Sequence, residues 1–218
     1  MNKMEIIFSE IKDTNDIHFA EAIQIYMESF PSNERQPLPV MKRRVEEGRS
    51  KLYVGFHQNE IACIAFLYHF NKSDFVFLDY MAVTEKFRNY KIGSRFFSFL
   101  IAKVVSAEKY LLLEVEDYLY GNNTEQRKKR INFYIRNGAY ILKDTPYLLP
   151  SLDNTQPTEM SIMIAPKYKT ARLEKKEIEI IFKLLYFELY EKTESDTLLH
   201  SILKSIPDQV TLVNEIIE

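Results

Sequence analysis

Arg88 to Ser94 reads RNYKIGS, and this stretch combines basic side chains with a glycine and a serine. A run rich in β-formers, Phe75 to Val83, precedes it, and an amphipathic stretch, Arg95 to Val105, follows. The order predicts a strand, a turn and a helix whose start carries the basic cluster. The first amides of a helix have no internal partner, and the helix dipole adds partial positive charge there. Such a place suits a phosphate. The glycine pattern is neither GxxxxGK[ST] nor GxGxxG, which argues against a nucleoside-triphosphate loop and against a dinucleotide fingerprint.

A second stretch, Arg130 to Tyr140 (RINFYIRNGAY), predicts a helix that stops at Asn137-Gly138, where glycine is free to take positive φ. Tyr134 lies one turn before that stop. A phenol with a pKa near 10 is a proton donor at neutral pH. Glu114 in LLLEVED is flanked by apolar residues, and burial would raise its pKa toward a useful value for a base. Glu116 shares its strand face. Asp79 lies on the preceding strand. The run Gln126 to Arg130 (QRKKR) suits phosphate oxygens, since guanidinium forks match them, and equally suits a solvated helix face.

Arg88-x-x-Lys91-x-Gly93-Ser94 resembles the acyl-CoA pyrophosphate loop of the GNAT superfamily of N-acetyltransferases, written [Q/R]-x-x-G-x-[G/A]. Lys91 stands where the first glycine usually sits. RINFYIRNGAY resembles the second acetyl-CoA motif of the same superfamily. The resemblance implies acetyl-CoA as cosubstrate, with amides of Met81, Ala82 and Val83 on pantetheine and the carbonyl. It places Arg88, Asn89, Tyr90, Lys91, Ile92, Gly93 and Ser94 at the pyrophosphate. Arg127 and Arg130 occupy positions where members often carry asparagine and alanine, and they would meet CoA phosphates. Tyr134 would protonate the leaving thiolate. The base would be Glu114, less so Glu116, or a water. Phe30-Pro31-x-x-Glu34-Arg35 and Tyr147-x-x-Pro150 resemble acceptor-side patterns of a bacterial subset. That makes Phe30, Glu34, Arg35 and Tyr147 candidate substrate contacts, and Asp79, an acidic residue on the strand before the acyl slot, is a further one. The implied activity is acetyl transfer to a primary amine of a small molecule or peptide. Two other classes stay open: a non-catalytic acyl-CoA-binding regulator on the same fold, and an interaction module acting through C-terminal helices.

These residues need a frame. Met4 to Ile11 reads as a strand, Ile17 to Phe30 as a helix capped by Asp16, and Pro39 to Glu47 as a short helix stopped by Gly48. Lys51 to Phe56, Ile61 to Tyr68 and Phe75 to Val83 form an antiparallel meander. A helix over 93–108, a strand Tyr110 to Val115, a helix Thr124 to Arg136, and strands Tyr140 to Leu142 and Glu159 to Ile164 complete the core. The last two strands are joined by a Pro-rich loop containing YLLPSL, Tyr147 to Leu152. The fold class is α/β: a mixed, mostly antiparallel sheet with helices on both faces over 1–166, as in the superfamily. The helix after Val83 makes a right-handed parallel crossover. Pro166 to Arg172 reads as a linker, and 167–218 as a helical C-terminal extension. Leu173 onward carries Ile178, Ile181, Leu184, Leu185 and Leu189 on one helix face; Asp196 to Ser205 and Asp208 to Ile217 read as shorter helices. That apolar face suits packing on its own core more than pairing in a homodimer.

Composition narrows the function classes. A net charge of −2 over 218 residues gives no global argument for nucleic acid or for an anionic membrane as partner. No apolar run reaches the ~20 residues of a membrane span, and the start lacks a signal-peptide pattern, so the cytoplasm is the expected compartment. The single cysteine, Cys63, reads as a small buried apolar residue, and one cysteine excludes an intrachain disulfide. The four histidines show no metal-ligand spacing, so no metal is expected.

Overall fold

The computed structural model describes residues 4–151 and 156–216, apart from the side chain of Asn33. Leu152 and Ile217, at the ends of two expected segments, lie outside the described residues. The chain divides into two compact units, Met1–Lys109 and Tyr110–Glu218. Both are α/β, and every strand pairing within each is antiparallel among the described residues.

In the first unit, β1 (Ile7–Ile11), β2 (Ser50–His57), β3 (Glu60–His69) and β4 (Phe75–Val83) lie in sequence order as a meander. Three helices cover it: α1 (Ile17–Ser29), α2 (Leu38–Glu46) and α3 (Ile92–Val105). Strand alternation sends Leu52, Val54, Ile64 and Phe66 into one core with Phe19, Ala22 and Tyr26 of α1 and Met41 and Val45 of α2. The opposite parity faces α3. Tyr53 meets Phe99 at 5.8 Å between ring centroids, and Phe8 meets Phe96 at 5.1 Å. The sheet of this unit therefore carries helices on both faces, as expected. Asp16 caps α1 by accepting from the His18 amide at 2.9 Å, and Gly48 follows α2 with φ +71°.

The register of β3 and β4 shifts once. Phe66 pairs with Tyr80 and Leu67 with Leu78, which leaves Asp79 as the extra residue of a β-bulge. A bulge lets consecutive side chains share a face. Tyr80 accordingly packs on Tyr26 of α1, and Asp79 meets Arg44 of α2.

In the second unit, β5 (Tyr110–Glu116) pairs with β8 (Thr158–Ala165). Next to β8 come β6 (Tyr140–Leu142), β10 (Gln209–Val213) and β9 (Arg172–Glu174), and the short β7 (Leu148–Leu149) also pairs with β8. The helices are α4 (Thr124–Arg136), α5 (Lys175–Lys183) and α6 (Thr197–Ser205), with a π-helical turn at Leu184–Leu189. The C-terminal segment is therefore not wholly helical. The expected helix over Asp208–Ile217 is a strand: Val210 and Leu212 are buried while Gln209 and Thr211 are exposed, a period of two. Arg172, expected at the end of a linker, opens β9. The helix face expected from Ile178 to Leu189 buries Ile178, Ile181, Leu185 and Leu189 within its own chain.

Candidate active site

In the first unit, β4 passes through a 3-10 turn at Glu85–Phe87 into the basic loop. Phe87 and Ile92 are buried and anchor the two ends, while Arg88 to Lys91 stay exposed. Arg88 Nε donates to the Val83 carbonyl at 3.3 Å. Asn89 has φ +69° and Lys91 φ +58°. Lys91 thus holds, as an L-residue, the left-handed conformation that glycine adopts without cost. It is the N-cap of α3, yet its side chain does not cap the helix. The amides that open α3 therefore have no N-cap side chain across them, and the exposed residues Arg88 to Lys91 lead into them. Met81, Ala82 and Val83 lie half-buried on β4, opposite Ala65, Ile64 and Cys63.

The loop between α1 and α2 is fixed to β4. Tyr80 donates its hydroxyl to the Glu34 carbonyl and accepts from the Gln36 amide, both at 3.0 Å. Tyr26 donates to the Gln36 carbonyl at 3.1 Å. Phe30 packs on Tyr80 at 4.9 Å, and Arg35 Nη1 reaches back to the Met27 carbonyl at 3.0 Å. Phe30, Glu34 and Arg35 are thereby brought together on one short loop. Asp79 differs from its expected substrate-facing role. Its side chain is 6% exposed and sits 3.6 Å from Nη1 of Arg44, itself 4% exposed. Burial pushes the Asp79 carboxyl up to about 7, against the pull of Arg44.

In the second unit, α4 ends as expected. Gly138 takes φ +94°, and the Asn137 and Ala139 amides donate to the Tyr134 carbonyl at 3.1 and 3.0 Å. Burial pushes the Tyr134 phenol up to about 12, opposed by the nearby Arg130 charge. Glu116 is an ion-paired carboxylate. Arg127 Nη2 and Arg130 Nη1 reach one oxygen each at 2.8 Å. Arg127 also donates to the Asp117 carbonyl at 3.0 Å and to the Tyr120 carbonyl. Gly121, at φ +73°, leaves room for that guanidinium, because a Cβ there would lie 2.8 Å from Nη2. Arg127 thus ties together the loop between β5 and α4, whereas Arg130 keeps a 44% exposed side chain.

Glu114 has a different environment from Glu116. Its Oε1 accepts the Tyr190 hydroxyl, and Tyr147, 3% exposed, lies beside it. Burial, reinforced by the Glu114 charge, raises the Tyr147 phenol well above its ordinary range. The Tyr147 ring packs on Phe182 at 5.0 Å and on Tyr186 at 6.2 Å. Nearby, a cavity of about 850 Å³ is lined by Asp117, Lys143, Tyr147, Glu159, Ser161 and other residues of this unit.

No family model matches the sequence. No curated protein sequence matches it either. Solved structures do match. A protein described as a GNAT-family acetyltransferase, from Bacteroides thetaiotaomicron, aligns over 86% of this chain and 99% of its own, with TM-score 0.72 and 22% identity. The fold is the GNAT acetyltransferase fold. An acetyltransferase from Bacillus subtilis, solved in complex with CoA, aligns over 75% of this chain and all of its own, with TM-score 0.53 and 14% identity. The ribosomal-protein-S18-alanine N-acetyltransferase of Escherichia coli aligns over 76% of this chain and 96% of its own, with TM-score 0.54 and 17% identity. Residues 1–166 make up about three-quarters of the chain. The Bacteroides alignment is longer than that, so it takes in part of the C-terminal segment as well.

Within this GNAT fold, several residues near the candidate site were not singled out from sequence. Tyr80 and Arg44 gain their places through the bulge at Asp79, and strict alternation would have sent Tyr80 to the other face. Tyr186 and Tyr190 lie beside the apolar face expected from Ile178 to Leu189, and that pattern assigns them nothing. Among the described residues, no group of His, Cys, Asp and Glu is arranged to hold a metal, and no helix is long and apolar enough to cross a membrane.

Proposed function

We propose that this chain is an N-acetyltransferase that moves an acetyl group from acetyl-CoA to a primary amine of a small molecule or peptide. The observation that carries the reading is the turn at Lys91. A backbone with glycine-like φ leads into an α3 start with no N-cap side chain across it, flanked by exposed basic residues. That arrangement suits a pyrophosphate. The shared GNAT fold, and CoA in the Bacillus subtilis structure, support the same assignment.

In the proposed reaction the neutral amine nitrogen attacks the thioester carbonyl carbon. A C–N bond forms, the C–S bond breaks, and CoA leaves as thiolate. Backbone amides of Met81 to Val83 orient pantetheine and polarise the carbonyl. Arg88 to Ser94 hold the pyrophosphate, and Arg130, with its exposed side chain, adds charge for a phosphate. Arg127 serves the loop it ties. Tyr134 is the acid. A phenol pushed up to about 12 keeps its proton through neutral pH and donates to the thiolate as negative charge develops. It passes the proton on fully where the same dry surroundings raise the thiolate's own pKa.

Glu114, directly or through water, takes the proton from the amine. The environments favour it over Glu116, whose two oxygens are each held by an arginine, a partnership that favours the ionised form and weakens a base. Glu114 accepts the Tyr190 hydroxyl and lies beside Tyr147. Phe30, Glu34, Arg35 and Tyr147 are the proposed acceptor contacts, while Asp79, buried against Arg44, is left out of them.

Calorimetric titration with acetyl-CoA and desulfo-CoA, followed by a free-thiol assay over a panel of amines, tests the proposal. Binding of both CoA species and amine-dependent thiol release are expected. Binding without release would favour a regulator on the same fold. No binding at millimolar CoA would remove the assignment.

A further inference from the structure

The C-terminal segment reaches Glu114 by an unusual route. α5 does not end in an ordinary cap but widens into the π-helical turn Leu184–Leu189. The Tyr190 amide donates to the Leu185 carbonyl at 2.9 Å, and the Lys192 amide to the Tyr186 carbonyl at 2.8 Å. Wide turns of this kind occur as short interruptions and often re-aim side chains at functional sites. Here the turn presents two phenols to two different strands. Tyr186 donates to the Leu148 carbonyl of β7 at 2.5 Å, and Tyr190 donates to Glu114 Oε1 of β5. Tyr190 is 9% exposed and Tyr186 fully buried, so neither bond is a surface accident. Among the groups around the carboxylate are Tyr190 from the π-turn, Tyr147 from the segment before β7, and Tyr186 behind them, with Asp196, the N-cap of α6, acting on Tyr186.

We propose that Tyr190 is a positioning residue for Glu114, so that the C-terminal segment is part of the catalytic apparatus rather than an appendage. This rests on the reading of Glu114 as the base. A carboxylate on a strand keeps two free torsions beyond Cβ. A hydroxyl delivered by a buried turn fixes its rotamer and stabilises its ionised form. Orienting partners of this kind set how well a first-contact group performs. Tyr147 is held by the same segment, since α5 packs Phe182 on it and the turn that aims Tyr190 packs Tyr186 on it.

The test is the pH profile of kcat/KM in the full-length protein, with CoA affinity measured in parallel. In Tyr190→Phe the acid limb is expected to move about one unit to higher pH, because the carboxylate loses a donor to its charged form. kcat is expected to fall about ten-fold while CoA affinity stays unchanged. Replacing Tyr190 with 3-fluorotyrosine keeps the ring and strengthens the donor. It should move the limb to lower pH, and it serves where the phenylalanine variant folds poorly. An unmoved limb in either folded variant overturns the proposal. Glu114→Gln separates the two layers. If it keeps the wild-type profile, Glu114 is not the base and both readings fall. If it abolishes the limb while the Tyr190 variants leave it in place, only the positioning role falls.

Discussion

Replacing Asp79 with Asn probes the bulge in β4. The Asp79 carboxyl rises from an ordinary 3.8 to about 7 because burial outweighs the attraction of Arg44. Between those values the folded protein holds a proton that the unfolded chain has released. The native state binds more protons there, so stability falls as pH rises. The contribution is fully present below about pH 4 and is lost as pH climbs through 7. One pKa unit corresponds to about 1.4 kcal/mol, so the full span is worth roughly 4 kcal/mol as an upper bound. The Asp79→Asn variant has nearly the same shape and no titration at this position. Its stability should match wild type near pH 4 and exceed it by up to that amount at pH 8. Urea unfolding at half-unit steps from pH 4.5 to 8.5 measures this, with m unchanged as the sign of an unaltered unfolding transition. Parallel pH–stability curves for the two proteins would refute the reasoning. So would a wild type more stable than the variant above pH 7, since that would make the Arg44 pair a net gain.

Three further outcomes are expected. Lys91→Gly relieves a left-handed residue and should stabilise the protein by about 1 kcal/mol, with CoA affinity retained or improved; a loss of affinity would mean the lysine charge matters more than the turn. Tyr134→Phe should lower kcat by about 10- to 100-fold with little change in CoA affinity, and an equally active variant would leave Tyr134 a packing residue. Arg127→Ala should cost about 2 kcal/mol in chemical denaturation, because the Asp117 and Tyr120 carbonyls lose their shared donor; a neutral result would show that water replaces it.

Where local signals agreed, the sequence was legible. β4 runs Phe75–Val83 and α4 Thr124–Arg136, the spans that the run of β-formers and the Asn137-Gly138 stop predict. What stayed hidden depends on partners distant in sequence. The bulge at Asp79 is a register between β3 and β4, and nothing within β4 marks it. β10 carries a two-residue period, yet acidic flanks and a short length let it pass for helix. The π-turn breaks no local rule in LLYFEL, and its width shows only in the bonds that Tyr190 and Lys192 make. The candidate site followed the same division. The loop from Arg88 to Ser94 and Tyr134 were readable as motifs. The contrast between Glu114 among phenols and Glu116 between arginines was not, because one strand face carries both.

The tie between Tyr80 and the loop joining α1 to α2 bears on how an acceptor would be chosen. One phenol holds both the Glu34 carbonyl and the Gln36 amide, and Tyr26 holds the other side of Gln36. Burial raises both phenols, so they remain donors across the physiological range. Moving that loop would mean breaking three bonds together, two of them buried and one part-buried. It is therefore held as a fixed template rather than a closing flap, and under the proposed function an amine that fits it would meet a wall shaped before arrival. Selection by such a wall favours a narrow set of acceptors at little reorganisation cost, and slow exchange of the Gln36 amide in the free protein would be its signature.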